Sequence, residues 1–246
     1  MEELLQEITN CENIQKRLIE KLDCPCNKII DSQNSNYENF QLPEPWNGDL
    51  ENCKILFLSS NPSFNPKDFY PIGNWNKSDV SDFFINRFSN RFPDKNFVRN
   101  ELYTLQNDGE YSKNWIRFWA AVRSVARVIL DTKSAISGQD YVMTEIVHCK
   151  STNENGVNEA METCANKYLD KIFKSTKAKI VICLGEKTSN FVKRKYQIEA
   201  TGRLFDESKM DKMFLFLPHP NAREERKLNK LLTHDELEKV KNKLNL

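Results

Sequence analysis

Three short stretches hold the side chains best able to do chemistry. "ILFLSSNPSF" runs an apolar segment into Asn61-Pro62-Ser63, "YVMTEIV" carries Glu145, and "MFLFLPHPNAR" delivers His219-Pro220-Asn221. An amide, a carboxyl and an imidazole are groups with which acid–base work and charge stabilisation are done. Proline beside Asn61 and His219 stiffens each turn and fixes where the side chain points. No Cys/His or Ser/His/Asp order indicates a covalent nucleophile, and no glycine-rich phosphate loop of the Walker or dinucleotide type occurs. Asn-Pro and His-Pro are also ordinary turn dipeptides. The surrounding elements must therefore decide whether these groups meet.

Four apolar runs read as strands, at about 53–58, 141–147, 178–185 and 213–218. Such continuous runs belong to parallel strands buried on both faces. Between them lie helical patterns. One, capped by Ser78, carries Phe84, Ile85, Phe88 and Phe92; a second covers about 113–130 with Trp115, Phe118, Trp119, Val122, Val125 and Ile129. A third spans about 157–175, a fourth follows Gly185, and a capping-box pattern from Thr233 to Glu236 starts the last. Near the start, Leu4, Ile8, Cys11, Leu18 and Leu22 share one face of a helix expected over 1–22. Strands alternating with helices predict an α/β fold, a three-layer α/β/α sandwich around a short four-stranded parallel sheet. Ligands of such sheets bind outside the carboxyl ends of the strands. Asn61 and His219 follow two of those ends, and Glu145 lies within a third strand.

The totals set limits. A chain of 246 residues suits one large α/β domain or two small ones, and a net charge of +1 does not by itself announce a nucleic-acid binder. With no secretory h-region and no apolar run long enough to span a bilayer, a soluble, cytoplasmic protein without a membrane partner is expected. Seven cysteines in such a protein are reduced thiols or metal ligands, not a disulfide frame.

"SSNPS", "TEIVHC", "VICLG" and "LPHPNAR", in this order and spacing, resemble the ordered motifs of the uracil-DNA glycosylase superfamily. The helix "IRFWAAV" is similar to one in its mismatch-specific branch. The resemblance covers about residues 43–230. It implies a catalytic domain over 43–246 preceded by an N-terminal helix and cysteine-containing extension over 1–42, the two forming one compact unit. It also implies a monomeric, monofunctional DNA glycosylase that flips a base out of DNA. Asn61 would hold the attacking water through its side-chain carbonyl, and His219 would donate to the carbonyl oxygen of the departing base. Ser60, Ser63 and Asn221 would contact substrate. Phe69, Tyr70 and Trp75 compete to stack on the flipped base, with Tyr70 or Trp75 favoured. Arg223, Arg226 and Lys227, beside the family's minor-groove wedge, would meet phosphates, and Lys230 falls beside them.

Two departures bear on the substrate. The iron–sulfur branch reads uracil with an Asn where this chain has Glu145. A carboxylate has no donor for the O4 carbonyl of uracil, but it can accept from the amino group of cytosine, and a protonated Glu could donate to N3. Ser59 and Ser63 also stand where relatives usually have glycine. A damaged or modified base, cytosine-type or otherwise, is therefore expected in preference to plain uracil. A uracil-DNA glycosylase, a non-catalytic DNA-binding module and a hydrolase of free nucleosides are the alternatives.

The cysteine layout resembles that of the iron–sulfur branch. Cys24 and Cys26 form a close N-terminal pair, and Cys149 and Cys164 lie fifteen residues apart. By that resemblance these four would hold a [4Fe–4S] cluster, with zinc or no metal as alternatives. The Cys-x-Cys spacing is tighter than the family's Cys-x-x-Cys, and Cys11 could replace either member. Cys53 and Cys183 lie in strand patterns and are expected in the core.

Overall fold

A computed structural model describes residues 1–89, 96–200, 202–223, 225 and 227–245. The strands are β1 (Trp46–Asn47), β2 (Ile55–Ser59), β3 (Val98–Arg99), β4 (Tyr103–Thr104), β5 (Tyr141–Glu145), β6 (Ile180–Leu184), β7 (Leu204–Glu207) and β8 (Lys212–Leu217). The α-helices are α1 (Glu2–Thr9), α2 (Glu12–Leu18), α3 (Asn27–Asp31), α4 (Lys77–Asn86), α5 (Arg117–Ile129), α6 (Val157–Ser175), α7 (Glu186–Lys195), α8 (Leu228–Leu231) and α9 (His234–Lys243). None of them is long and apolar enough to cross a membrane.

The main sheet has six strands in the order β1-β5-β2-β6-β8-β7, not four. The four apolar runs form its parallel centre, and β1 and β7 pair antiparallel on β5 and β8 as its edges. Both additions are short, a common way to blunt a sheet edge. A separate two-stranded ribbon joins β3 to β4.

Alternation along the central strands builds two cores. Leu56, Leu58, Val142, Val181, Cys183, Phe214 and Phe216 face one, while Ile55, Phe57, Met143, Ile182 and Leu215 face the other. The first core is closed by α1–α4, α6 and α7, and the second by α5, α8 and α9. This gives the α/β/α sandwich. Cys53 and Cys183 lie in the core.

Several boundaries move. The expected helix over 1–22 is two helices, because the chain breaks at Asn10-Cys11, and Leu22 ends exposed. The cap of α4 is Asn76, whose side chain accepts from the Asp79 N–H at 2.9 Å, not Ser78. Phe92 lies outside the described residues. Helix α5 starts at Arg117, which leaves Trp115 before it and half exposed. Thr233 and Glu236 do form a capping box on α9.

The N-terminal segment shares the first core: Leu5, Ile8, Ile14, Ile29 and Ile30 are buried with the sheet residues. Gly156, at the N-terminus of α6, shows how close that contact is. Its φ is +79°, and a Cβ there would stand 2.2 Å from the Ile29 backbone nitrogen. Gly156→Ala should therefore cost about 2–3 kcal/mol through left-handed strain and backbone overlap. The loss would be read as a lower urea midpoint with an unchanged slope.

Candidate active site

The site forms where β2 and β5 run out of the sheet side by side. Their parallel pairing continues beyond the last strand residues: Ile146 N–H donates to Ser59 O and Val147 N–H to Ser60 O, both at 2.9 Å. Ser151 N–H then donates to Pro62 O at 3.2 Å, and Phe64 N–H to Ser151 O at 3.0 Å. The Asn-Pro-Ser turn is thus laced to the segment after β5.

That lacing orients Asn61. Its Nδ2 donates to Pro62 O at 2.9 Å and to Ser151 Oγ at 3.0 Å. Both bonds use the amide nitrogen, so Oδ1 is left as the acceptor.

His219 follows β8 on the same edge of the sheet. The Asn221 N–H donates to its Nδ1 at 3.2 Å, which makes Nδ1 the acceptor and places the ring proton on Nε2. Burial pulls the imidazole below its usual range, against the opposing charge of Glu154, so it is neutral near neutral pH. Phe118 packs on the ring at a centroid distance of 5.7 Å. Gly185 backs it from the other side: a Cβ there would stand 3.2 Å from His219 Cβ.

Asn61, Ser63, Glu145, His219 and Asn221 line one cleft of about 630 Å³. Glu145 is 6 % exposed, and burial raises its pKa well above the ordinary 4.5. The hydrogen bond from Ser59 Oγ opposes that shift, and the nearby charge of Glu44 adds to it. Burial therefore favours the neutral carboxylic acid at Glu145, a form with one O–H to give.

Beside it lies a set of buried charges that also line the cleft. Glu44 pairs with Arg87 at 2.9 Å, accepts from Asn47 Nδ2 at 2.6 Å and accepts from Tyr70 O–H at 2.9 Å. Burial works against the Glu44 charge, but Arg87, Lys150 and these hydrogen bonds more than offset it and hold the carboxyl at about 2. Lys150 is 2 % exposed, and burial pushes its ammonium down to about 8 although Glu44 resists.

The aromatic expectation needs correction. Tyr70 and Trp75 do not line the cleft. Tyr70 is 3 % exposed and edge-packed on Phe83 and Phe84, and Lys150 Nζ sits 3.5 Å from its ring centroid. Trp75 packs on Phe69 and Phe83. The rings that do line the cleft are Trp115, just before α5, and Phe118 and Trp119 in its first turn.

Other expectations divide. Ser60 is not part of the cleft lining, and its hydroxyl donates to Glu154 Oε1 at 2.8 Å. Arg223 is exposed, Lys227 lines a neighbouring groove, and Arg226 lies outside the described residues. Lys230 pairs with Glu225 at 3.3 Å.

Of the cysteines, Cys26, Cys149 and Cys164 line one small enclosed cavity with Cys11 as the fourth thiol. Cys24 does not line it; its thiol donates to Asn13 O at 3.6 Å. Among the described residues no three His, Cys, Asp or Glu side chains stand close enough together to hold a metal ion.

Glu44, Arg87 and Lys150 were missed by sequence reasoning because nothing in their local pattern marks burial. A glutamate between two prolines, in "LPEPW", is the one faint signal.

The neutral state of Glu145 has a consequence for stability. Its folded pKa is raised, so above about pH 4.5 the folded chain binds more protons than the unfolded one, and stability falls as pH rises towards the folded pKa. Glu145→Gln keeps the shape and removes that titration. Thermal melts should show the variant gaining on wild type as pH rises above about 5. A constant difference across that range would mean that Glu145 is ionised in the folded protein.

The family model of the uracil DNA glycosylase superfamily matches residues 45–245. No curated protein matches the chain. The matched span takes in Asn61, Glu145 and His219 together with all six strands of the main sheet. The chain belongs to the uracil-DNA glycosylase superfamily.

Proposed function

We propose that this glycosylase is monofunctional and excises a cytosine-type base that Glu145 reads as a neutral acid. The observation that carries the reading is the burial of Glu145 in the same cleft as Asn61 and His219. N-glycosidic cleavage passes through an oxocarbenium-like sugar and a base leaving with negative charge. Asn61 Oδ1 is free to accept from a water, and a weak positioner suffices against an electrophile that is already cationic. The Nε2–H of neutral His219 can donate to an oxygen of the leaving base, an interaction worth a few kcal/mol when preorganised.

Cytosine is a poorer leaving group than uracil unless it is protonated. A neutral Glu145 can pass its proton to N3 and accept from the exocyclic amine with the same carboxyl group. The proton comes from the carboxylic acid and ends on the released base; the water held by Asn61 supplies the new hydroxyl on the sugar and returns a proton.

The same neutrality supports uracil as a second reading. A protonated Glu145 has the donor to O4 that a carboxylate lacks, so the repulsion expected from the sequence weakens. One set of assays separates the two readings. Oligonucleotides carrying uracil, thymine mismatches and cytosine derivatives would be scored for abasic sites. Asn61→Ala should lose excision at least about a hundredfold. Glu145→Gln, which can hydrogen-bond but cannot give up a proton, should lose cytosine-type excision by about a hundredfold or more while sparing any uracil activity. Equal activity of Glu145→Gln on every base would remove the acid role, and full activity of Asn61→Ala would remove the mechanism.

For the cysteines, we infer a [4Fe–4S] cluster on Cys11, Cys26, Cys149 and Cys164, with Cys11 taking the place expected of Cys24. The support is that these four thiols border one cavity. That cavity measures about 20 Å³, less than a cluster fills, so holding one would require the thiols to move apart. Cluster thiolates also stand farther apart than those of a single zinc ion, because the iron–sulfur cube lies between them. The cluster's role would be structural, tying the N-terminal helices to the segment after β5. Iron and sulfide analysis of anaerobically purified protein should find the cluster kept in Cys24→Ser and lost in Cys11→Ser. The opposite pattern would restore the original assignment.

A further inference from the structure

Beside the cleft, α5 and α9 border a shallow groove of about 1400 Å³. Among the described residues its cationic side chains are Arg117, Arg123, Arg127, Lys133, Lys227 and Lys241, and its one carboxylate is Asp131. The chain as a whole carries a net charge of only +1, so this is local segregation of charge and not a generally basic surface. Two of the cations are partly committed: Arg123 lies 3.7 Å from Glu101, and Lys241 lies 3.7 Å from both Asp131 and Glu238. Arg127 Nε is buried without a hydrogen-bond partner among the described residues. Ala120, Ala121 and Ser124 line the groove between the cations, so small side chains leave the helix backbone open to approach.

The groove and the cleft are continuous. Trp115 and Arg117 line both, and Pro220, the residue after His219, lines the groove. A polyanion that enters the cleft would therefore leave it along α5. Arg117 and Arg127 are ten residues apart on one helix, about 15 Å at the helical rise. Along a duplex axis that is roughly the length of four phosphates of one strand. Trp115, 51 % exposed at the junction, offers a ring face on which a base can stack.

We propose that this groove binds the phosphate backbone of the DNA strand flanking the nucleotide in the cleft, with Arg123, Arg127 and Lys133 as phosphate contacts and Trp115 as a stacking post. The proposal rests on the reading of the chain as a DNA glycosylase and extends the phosphate contacts expected of the loop after His219, which supplies Pro220 and Lys227 to the groove, onto α5. It gives the cations along that helix a task apart from bond cleavage.

Two variants test it. Arg127→Gln/Lys133→Gln removes two charges, and Ser124→Glu places a carboxylate in the middle of the groove at an exposed helix position, where the fold is least disturbed. Affinity would be followed by fluorescence anisotropy with a labelled duplex holding one abasic-site analogue, over a range of salt. Each lost phosphate contact lowers the log–log salt slope by about 0.9, so the double variant should lose about two from the slope and bind about tenfold more weakly at low salt. Ser124→Glu should weaken binding in the same direction. Unchanged affinity and slope in both variants, with wild type still releasing base, would overturn the groove and leave the glycosylase reading intact. Failure of wild type to release any base would strike that reading instead. If polyglutamate displaced the duplex at comparable charge concentration, the groove would belong to an acidic protein and the proposal would fall.

Discussion

The feature on which the site depends is backbone pairing that outlasts the sheet. Parallel strands usually separate where their loops begin, yet β2 and β5 stay hydrogen-bonded through Ser60 and Val147 and meet again at Pro62 and Ser151. Those bonds carry no chemistry themselves. They bring Ser59 to Glu145 and Asn61 to Ser151, and they set Lys150 at the edge of the same cleft. A one-residue slip between the two segments would exchange inward and outward side chains along both. The arrangement of the cleft is thus a property of register first and of residue type second.

Register also decides where charge is buried. Glu44, Arg87 and Lys150 are all removed from water, at a desolvation cost of several kcal/mol per ion. The Glu44–Arg87 pair, the hydrogen bonds on Glu44 and the aromatic faces around Arg87 offset that cost. Glu145 pairs with no cation among the described residues, and burial pushes it toward keeping its proton. Two of the carboxyl groups that line the cleft, Glu44 and Glu145, are therefore pushed in opposite directions, and the difference lies in their neighbours. Unlike environments of this kind let similar side chains take different roles.

The central strands were readable because parallel strands buried on both faces give unbroken apolar runs. The edge strands were not, since Trp46–Asn47 is only two residues long and Leu204–Glu207 has a mixed, half-exposed pattern. Asn61 and His219 were readable from their place after a strand and beside a proline. The aromatic rings of the cleft were not, because nearness in sequence to Asn61 favoured Tyr70 and Trp75, whereas the rings that line it come from α5 and the residues just before it, more than fifty residues later. Glu145 was legible as a departure from pattern, but its neutral state depends on burial and on the absence of a facing cation, which only tertiary structure sets. Cys11 shows the same limit: helix periodicity placed it on an apolar face, and only packing shows three other thiols beside it.

Lys150 rests its ammonium on the face of Tyr70, 3.5 Å from the ring centre. The cleft wall there is an ammonium group backed by an aromatic ring. Arg87, 5.2 Å from the same ring centre, sets a second cation against it. Burial strips both cations of water, so the ring stands in for part of the solvent they have lost.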